Sequence, residues 1–187
     1  MTVGIDEVGR GAWAGPLVAA AVVLECEIEG LNDSKLLSAK ERLRLALEIR
    51  YAAKSIGIGW VSNEELDRLG MSAALSAAMS RALFAIREPY LSIVIDGKVN
   101  YLRDQKVQTI VGADKEVPVV SAASIIAKVA RDTFMQTIAG LHPAYGFEKH
   151  VGYGTKSHRE AIESFGLSRL HRRSFKPIAA YLNLQIG

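Results

Sequence analysis

The chain has 187 residues, with 23 Lys and Arg against 20 Asp and Glu, a formal net charge of +3 and a pI near 9.0. Its 49% hydrophobic and 23% charged residues exclude a disordered chain, and its single cysteine excludes an internal disulfide. The longest uncharged run, residues 11–24, falls short of the about 20 residues that span a bilayer, and the N-terminus has no signal-peptide pattern. We therefore expect one cytoplasmic domain without a membrane span, in which Cys26 is a small buried residue.

The hydrophobic pattern predicts strands and helices that alternate along the chain. Short apolar runs predict strands at 3–8, 17–24, 55–61, 91–95 and 107–111. Helical spacing predicts helices at 39–53 after the N-cap Ser38, at 63–86 with a break near Gly70, at 119–139, and at 156–165 before Gly166. Because only a glycine-rich turn separates the first two strands, we expect an antiparallel pair within a mixed α/β sheet flanked by helices.

Acidic residues lie in or near three of the predicted strands. Asp6 and Glu7 are in the first strand, Asp96 follows the fourth, and Asp114 comes after the fifth. Carboxylates near a core are costly unless something compensates their charge, and a shared divalent metal ion is a strong compensator. Oxygen ligands favour Mg²⁺ or Mn²⁺, and a pair of such ions could catalyse phosphodiester hydrolysis. The alternative is that these acids only end strands and form turns, as Asp96-Gly97 could.

The neighbouring acids Asp6 and Glu7 raise a geometric difficulty. Successive residues of a regular strand point to opposite faces of the sheet, so both side chains cannot enter one site directly. We expect a local twist, a bulge or a water-mediated contact if the two serve the same site.

A turn rich in glycine follows the first strand and contains Gly9, Arg10 and Gly11. It differs from the dinucleotide-binding fingerprint, because Pro16 and an apolar strand follow it where that fingerprint opens a helix. Glycines beside an arginine let backbone amides and a guanidinium approach a phosphate or a sugar closely. An ordinary hairpin turn is the alternative.

The C-terminal part carries most of the excess positive charge. Residues 142–176 have a net charge of +4 and contain all four histidines of the chain. Aromatic residues are interleaved with the basic ones, as suits a surface that contacts phosphates and stacks on bases or sugars: Tyr145, Phe147, Tyr153 and Phe165. The histidine spacing matches no common metal-ligand pattern. The alternative is an aromatic segment that caps the core and exposes a solvated basic face.

Together these motifs resemble the type 2 ribonuclease H family, specifically bacterial ribonuclease HII. The matching segments follow the family's order along nearly the whole chain: 3–11, 31–35, 95–97, Asp114, 121–132, 152–155 and 171–175. The resemblance implies a ribonuclease H-like mixed sheet flanked by helices, with a helical C-terminal part. It implies that residues 1–187 form a single catalytic domain, in which about 140–187 contact the substrate.

The resemblance also assigns roles to individual residues. Asp6, Glu7, Asp96 and Asp114 are similar to the family's four catalytic acids, which bind Mn²⁺ or Mg²⁺. Gly9, Arg10 and Gly11 resemble the element that recognises the 2′-hydroxyl at an RNA–DNA junction, the one group that separates RNA from DNA at a site. Tyr153 resembles a tyrosine that stacks on the deoxyribose beyond the junction. Further substrate contacts are expected from Asn32, Ser34, Lys35, Arg172 and Arg173.

The activity that the resemblance implies is that of an endoribonuclease. It hydrolyses the RNA strand of RNA–DNA hybrids and nicks duplex DNA 5′ of embedded ribonucleotides, which gives 5′-phosphate and 3′-hydroxyl ends, and it serves ribonucleotide removal and primer RNA degradation. We expect a monomer whose partners are these nucleic acids. The alternative is a non-catalytic protein that binds RNA–DNA junctions with the same surface.

Three positions depart from the family's usual pattern. Leu36 and Val151 stand where a second lysine is usual, and Ala113 precedes Asp114 where the family commonly has glycine. We expect weaker phosphate contacts at the first two positions and no change at the acids. The short stretch after Lys176 contains no evident clamp-binding peptide.

Overall fold

Five strands form one mixed sheet in the computed structural model of the chain, which describes residues 1–31, 34 and 37–186. The strands are β1 (Thr2–Val8), β2 (Leu17–Leu24), β3 (Ala53–Val61), β4 (Ser92–Asp96) and β5 (Val107–Ile110), in the spatial order β3-β2-β1-β4-β5. Strand β1 is antiparallel to β2 and parallel to β4. The predicted mixed sheet with an antiparallel N-terminal pair is confirmed.

Helices cover both faces of the sheet. They are α1 (Ala39–Ala52), α2 (Asn63–Leu69), α3 (Met71–Phe84), α4 (Ala113–Glu116), α5 (Pro118–Ala139), α6 (Phe147–His150), α7 (Lys156–Phe165) and α8 (Lys176–Ile186). The predicted cap is confirmed, since the Ser38 hydroxyl accepts a bond from the Glu41 amide. The predicted break is confirmed as well, since Gly70 ends α2 at a φ of 75°. The short helices α4 and α6 were not expected, because a single turn leaves no hydrophobic period to detect.

The two faces of β2 belong to different hydrophobic layers. One side, with Leu17 and Ala19, packs with Leu66 of α2 and with α3. The other side, with Ala20 and Val22, packs with α1 and α5. Because both faces are covered, β2 is apolar at every position, and its sequence shows no alternation of polar and apolar residues.

Helix α5 lies very close to strand β1. A Cβ atom on Gly4 would come within 2.4 Å of the Val119 carbonyl group, so this approach requires glycine. The close contact places the polar side of α5 directly beside the acidic end of β1, which positions one wall of the site described below.

The expectation for Cys26 is wrong. Its side chain is exposed in the segment between β2 and α1, because β2 ends at Leu24 and the chain has already left the core. Within the described ranges, no helix is long and apolar enough to cross a membrane.

Candidate active site

A cavity of about 450 Å³ opens where β1 and β4 end side by side. The carboxyl ends of parallel strands meet at the same edge of a sheet, so residues of both strands reach one space. The cavity is lined by Asp6, Glu7, Val8, Gly9, Arg10, Gly11, Ser34, Asp96, Ser124, Lys128 and Tyr153. The acids, the glycine turn and the tyrosine, which lie far apart in the sequence, are therefore brought together.

Asp6 is the most deeply buried acid of the cavity wall, with 6% of its surface exposed. Burial raises the pKa of its carboxyl to about 8, the nearby charges of Glu7 and Asp96 add to the rise, and a hydrogen bond with Ser124 opposes it. Its Oδ1 also accepts a bond of 2.8 Å from the Glu7 amide. Asp6 thus lies in a buried position beside two other acids of the cavity wall, Glu7 and Asp96.

Asp6 and Glu7 both line the cavity although no bulge separates them. The register of β1 with β2 is regular through this pair, with Asp6 opposite Ala20 and Glu7 opposite Ala19. Of the three expected explanations, a bulge is therefore excluded for the pairing of β1 with β2, and a local twist or a water-mediated contact stays a prediction. Strand β4 pairs with β1 only as far as Ile5, whereas β2 pairs with it as far as Val8, so the last residues of β1 border the cavity where β4 no longer covers them.

Asp96 lies on the cavity wall and also shapes the next loop. Its Oδ1 accepts bonds from the amides of Gly112 and Ala113, at 2.8 and 2.9 Å, and Oδ2 is the oxygen that can serve a ligand. Asp114 is the second residue of α4. Only 3% of its surface is exposed, and it is not among the residues that line the cavity. Its role as a fourth ligand stays a prediction.

The donor set suits a hard divalent cation. No three acid, histidine or cysteine side chains of residues 1–31, 34 and 37–186 are already gathered closely enough to hold a metal. The carboxylates of Asp6, Glu7 and Asp96 nevertheless share one cavity, and the charges of Glu7 and Asp96 add to the burial that raises the pKa of Asp6. Oxygen donors of this kind fit Mg²⁺ or Mn²⁺, whose charge would offset that repulsion.

The glycine turn forms a second wall of the cavity. Gly9 has a φ of +88°, and a Cβ atom there would lie 2.2 Å from the Nε of Arg131, so the fold itself requires glycine. A Cβ atom on Gly11 would meet nothing within 4 Å, so the chain itself gives no steric reason for glycine at that position. Between them, the exposed Arg10 approaches Glu7 at 3.8 Å.

Tyr153 closes the cavity opposite the acids. The Nζ of Lys128 lies 5.9 Å from its ring centroid and the guanidinium carbon of Arg131 lies 5.3 Å away. Its backbone is fixed from behind, since its carbonyl is bonded to the His158 ring at 3.0 Å and its amide donates to the His150 carbonyl. These contacts hold the ring in place and leave it accessible to a ligand in the cavity.

Helix α5 contributes residues to which the sequence analysis gave no role. Ser124 bonds Asp6 and also Ser34, whose hydroxyl lies 2.9 Å away, and Lys128 pairs with Asp132 at 2.9 Å. The signal was present, because Ser121, Ser124 and Lys128 recur at helical spacing within residues 118–130, a part of the helix that is otherwise apolar.

The other expected substrate contacts have different outcomes. Ser34 lines the cavity but is 3% exposed, and its direct contact with nucleic acid stays a prediction. Asn32, Lys35 and Leu36 lie outside the described residues. Arg173 is exposed, and its amide donates to Asp67.

The structure corrects the expectation for Arg172. Its side chain is completely buried and donates to the backbone carbonyls of Gly9, Gly15 and Pro16 at 2.6 to 2.9 Å. A guanidinium in this position cannot reach a phosphate. The charge that the sequence analysis placed on the surface lies behind the glycine turn.

Most aromatic and histidine residues before and after Tyr153 form a core, whereas Phe165 is exposed. Tyr145 and Phe147 are stacked with a centroid distance of 5.4 Å, and the rings of His158 and His171 bond through Nε2 at 3.1 Å. Burial lowers the pKa of both histidines to about 4, so they are neutral at pH 7. The alternative of an aromatic segment that caps the core is confirmed here, whereas Tyr153 faces the cavity.

Solved structures share this architecture. The ribonuclease H2 from Pyrococcus horikoshii OT3 superposes with a TM-score of 0.80 at 24% identity, over 98% of this chain and 97% of that one. The ribonuclease HII of Archaeoglobus fulgidus, solved in a complex with PCNA, gives a TM-score of 0.78 at 28% identity over 95% of each chain. The fold and the carboxylate-lined cavity together define a ribonuclease H-like nuclease.

Sequence comparison narrows this class. Residues 3–178 match the family model of Ribonuclease HII. The Ribonuclease HII of Dichelobacter nodosus (strain VCS1703A) is 45% identical over 184 residues, which cover 97% of both proteins. The chain belongs to the ribonuclease HII family. It is a metal-dependent endoribonuclease that acts on RNA–DNA hybrids, as the resemblance implied.

Proposed function

We propose that the chain also nicks duplex DNA on the 5′ side of single embedded ribonucleotides. The observation that carries the proposal is the shared cavity, in which the glycine turn and Tyr153 lie beside the carboxylates. A site that recognises a 2′-hydroxyl within reach of its catalytic acids can select one ribonucleotide in a long DNA strand. Hydrolysis then falls next to the recognised sugar.

Asp6, Glu7, Asp96 and Asp114 are the proposed metal-binding catalytic residues. When bound, a pair of Mg²⁺ or Mn²⁺ ions supplies an activated water for in-line attack and stabilises the leaving oxygen, which gives 5′-phosphate and 3′-hydroxyl ends. Asp96 is oriented for this role by the two amides that hold its Oδ1. Ser124 orients Asp6 in the same way, from helix α5.

The proposed ribose contacts come from Gly9, Arg10 and Gly11. The open space at Gly11 supports this role, because a glycine that the fold does not require is explained by the close approach of a ligand. Tyr153 is the proposed stacking surface for the deoxyribose beyond the junction, and Lys128 beside it is suited to a neighbouring phosphate. Asn32, Ser34, Lys35 and Arg173 remain proposed contacts along the nucleic-acid backbone.

The proposed catalytic unit is one domain of a monomer. Residues from β1 to Tyr153, which precedes α7, build the cavity within one chain, and the backbone of Ala14 pairs with that of His171 in the C-terminal part. We place its action in the cytoplasm, where a DNA substrate containing ribonucleotides is found in bacteria. Sedimentation of the purified chain tests the oligomeric state: a dimer at working concentration contradicts this part of the proposal.

The decisive experiment uses a DNA duplex with one ribonucleotide. We expect a single nick 5′ of the ribonucleotide in the presence of Mn²⁺ or Mg²⁺, and no nick in the all-DNA duplex or after addition of a chelator. An RNA–DNA hybrid in the same series reports the family activity. Cleavage of the hybrid without any nick at the single ribonucleotide would overturn the proposal.

A further inference from the structure

Two arginines, Arg131 of α5 and Arg172, lie side by side behind the glycine turn. Both are completely buried, and neither forms an ion pair with a carboxylate in the part of the chain that the structure describes. Burial and the neighbouring charge of Arg131 lower the pKa of Arg172 to about 9, so its guanidinium remains charged at neutral pH, and burial also lowers the pKa of Arg131. Arginine side chains keep their charge in proteins, so the two guanidinium groups are like charges. Buried like charges are costly and need compensation from elsewhere.

Backbone carbonyls provide that compensation. Arg172 donates to Gly9, Arg10, Gly15 and Pro16, and Arg131 donates to Ala14, Pro16 and Val151. The Pro16 carbonyl accepts from both arginines, at 2.9 Å each. We name these two residues the arginine clamp, since together they hold the segment 9–16 and connect it to the segment that leads into Tyr153.

The clamp determines which way the turn presents its amides. The described peptide bonds are all trans, so the N–H of each peptide points away from its carbonyl. With the carbonyls of Gly9 and Arg10 directed at Arg172, the amides of Arg10 and Gly11 point away from it. Arg10 and Gly11 line the cavity and Arg172 does not, so these donors are available on the ligand side.

The clamp also reaches the segment before Tyr153. Val151 has a φ of +43°, a left-handed conformation that costs energy for a β-branched residue. Its carbonyl is held by Arg131 at 2.9 Å, and the same guanidinium lies behind the ring of Tyr153. One arginine therefore contacts both elements that are proposed to recognise the junction.

We propose that Arg131 and Arg172 are positioning residues that fix the glycine turn and Tyr153 relative to each other, so that ribose and deoxyribose bind in register. The inference rests on the proposed junction recognition. It assigns the two arginines no contact with substrate. Loss of the clamp weakens recognition in the ground state and the transition state alike, so KM rises while kcat is retained.

The experiment reads the turn directly, through Trp13. This residue lies inside the clamped segment: its amide donates to Gly152, its carbonyl accepts from the Arg172 amide, and its ring packs on Gly154. Trp60 is the other of the two tryptophans, so Trp60→Phe leaves Trp13 as the sole fluorophore. In that background we compare Arg172→Lys and Arg131→Lys with Met79→Ala, which removes packing in the layer around α3.

We expect both lysine variants to increase acrylamide quenching of Trp13 and to raise KM for the single-ribonucleotide duplex about tenfold, with kcat little changed. Met79→Ala should lower the melting temperature without changing either quantity. Unchanged quenching in both lysine variants, or increased quenching with an unchanged KM, overturns the proposal. Should Arg172→Lys fail to fold, Arg131→Lys carries the same test. If the parent protein does not nick the single-ribonucleotide duplex, the proposed function is refuted instead. The effect of the lysine variants on KM would then be measured with the RNA–DNA hybrid as the substrate.

Discussion

The acidic wall of the cavity and the arginine clamp behind it both bring groups of like charge together, but different partners stabilise the two groups. Asp6, Glu7 and Asp96 lie around a space that can admit a cation, and burial together with the nearby charges of Glu7 and Asp96 raises the pKa of Asp6. Arg131 and Arg172 are surrounded by carbonyls of their own backbone. The acids, whose charge a bound cation would neutralise, are suited to catalysis. The arginines, whose charge the backbone carbonyls already stabilise, hold the site in shape.

We expect the largest effect when a carboxylate that binds the cation is removed. In Asp96→Asn, the side-chain oxygen can still accept from the Gly112 and Ala113 amides, but one ligand charge is lost. We expect kcat to fall about a thousandfold, equivalent to about 4 kcal/mol, with substrate binding retained. Single-turnover cleavage and gel-shift binding measure the two quantities.

The matched control is Asp104→Asn, which makes the same change at a turn away from the cavity. It should leave both quantities unchanged. Full cleavage by Asp96→Asn would remove that residue from the metal-binding set and would favour a protein that uses the cavity only for binding.

The stability of the protein should depend on pH because of the buried histidines behind Tyr153. His158 and His171 have folded-state pKa values of about 4, below the value of 6.5 for an exposed histidine. The unfolded chain therefore binds up to two more protons at these histidines between pH 6.5 and pH 4. Together they should lower the free energy of unfolding by up to about 7 kcal/mol as the pH falls over this range, and they contribute no dependence above it. Urea titrations at successive pH values measure this dependence.

His171→Asn provides the matched comparison, because the asparagine oxygen can accept from the Ser168 amide in place of Nδ1 but cannot titrate. We expect a shallower dependence on pH in this variant. Equal slopes in the two proteins would mean that other groups are responsible for acid destabilisation.

A smaller and more selective effect is expected at the open glycine. In Gly11→Ala the added methyl group meets no atom of the chain, so stability should not change, while a ligand that approaches closely should be hindered. We expect KM for the single-ribonucleotide duplex to rise about tenfold. Gly140→Ala, at a helical position after α5, is the control. Unchanged KM in Gly11→Ala would remove this residue from the recognition element.

The smallest effect is expected at Arg173, the exposed neighbour of the clamp. Arg173→Gln should weaken substrate binding a few-fold and lower the slope of log K against log salt by about 1, as for the loss of one phosphate contact. The bond from its amide to Asp67 does not involve the side chain and should persist. An unchanged salt slope would show that this guanidinium does not contact phosphate.

The acids of the cavity and the buried arginines differ in how visible they are in the sequence. Asp6 and Asp96 were grouped correctly because the ends of apolar strands are visible as patterns, and parallel strand ends meet. The role of Arg172 was not visible, since its partners are backbone carbonyls of a segment more than 150 residues away. A count of charges places arginines on the surface, and only the tertiary structure reveals carbonyls turned inward to receive them.

Mn²⁺ binding followed by electron paramagnetic resonance shows whether the acidic wall of the cavity holds a divalent cation. The wild-type chain should bind Mn²⁺, and Asp96→Asn should bind it at least about tenfold more weakly, since one ligand charge is missing. Asp104→Asn should bind like the wild type. Equal Mn²⁺ affinity in the wild type and Asp96→Asn, or no binding by either, would contradict the account.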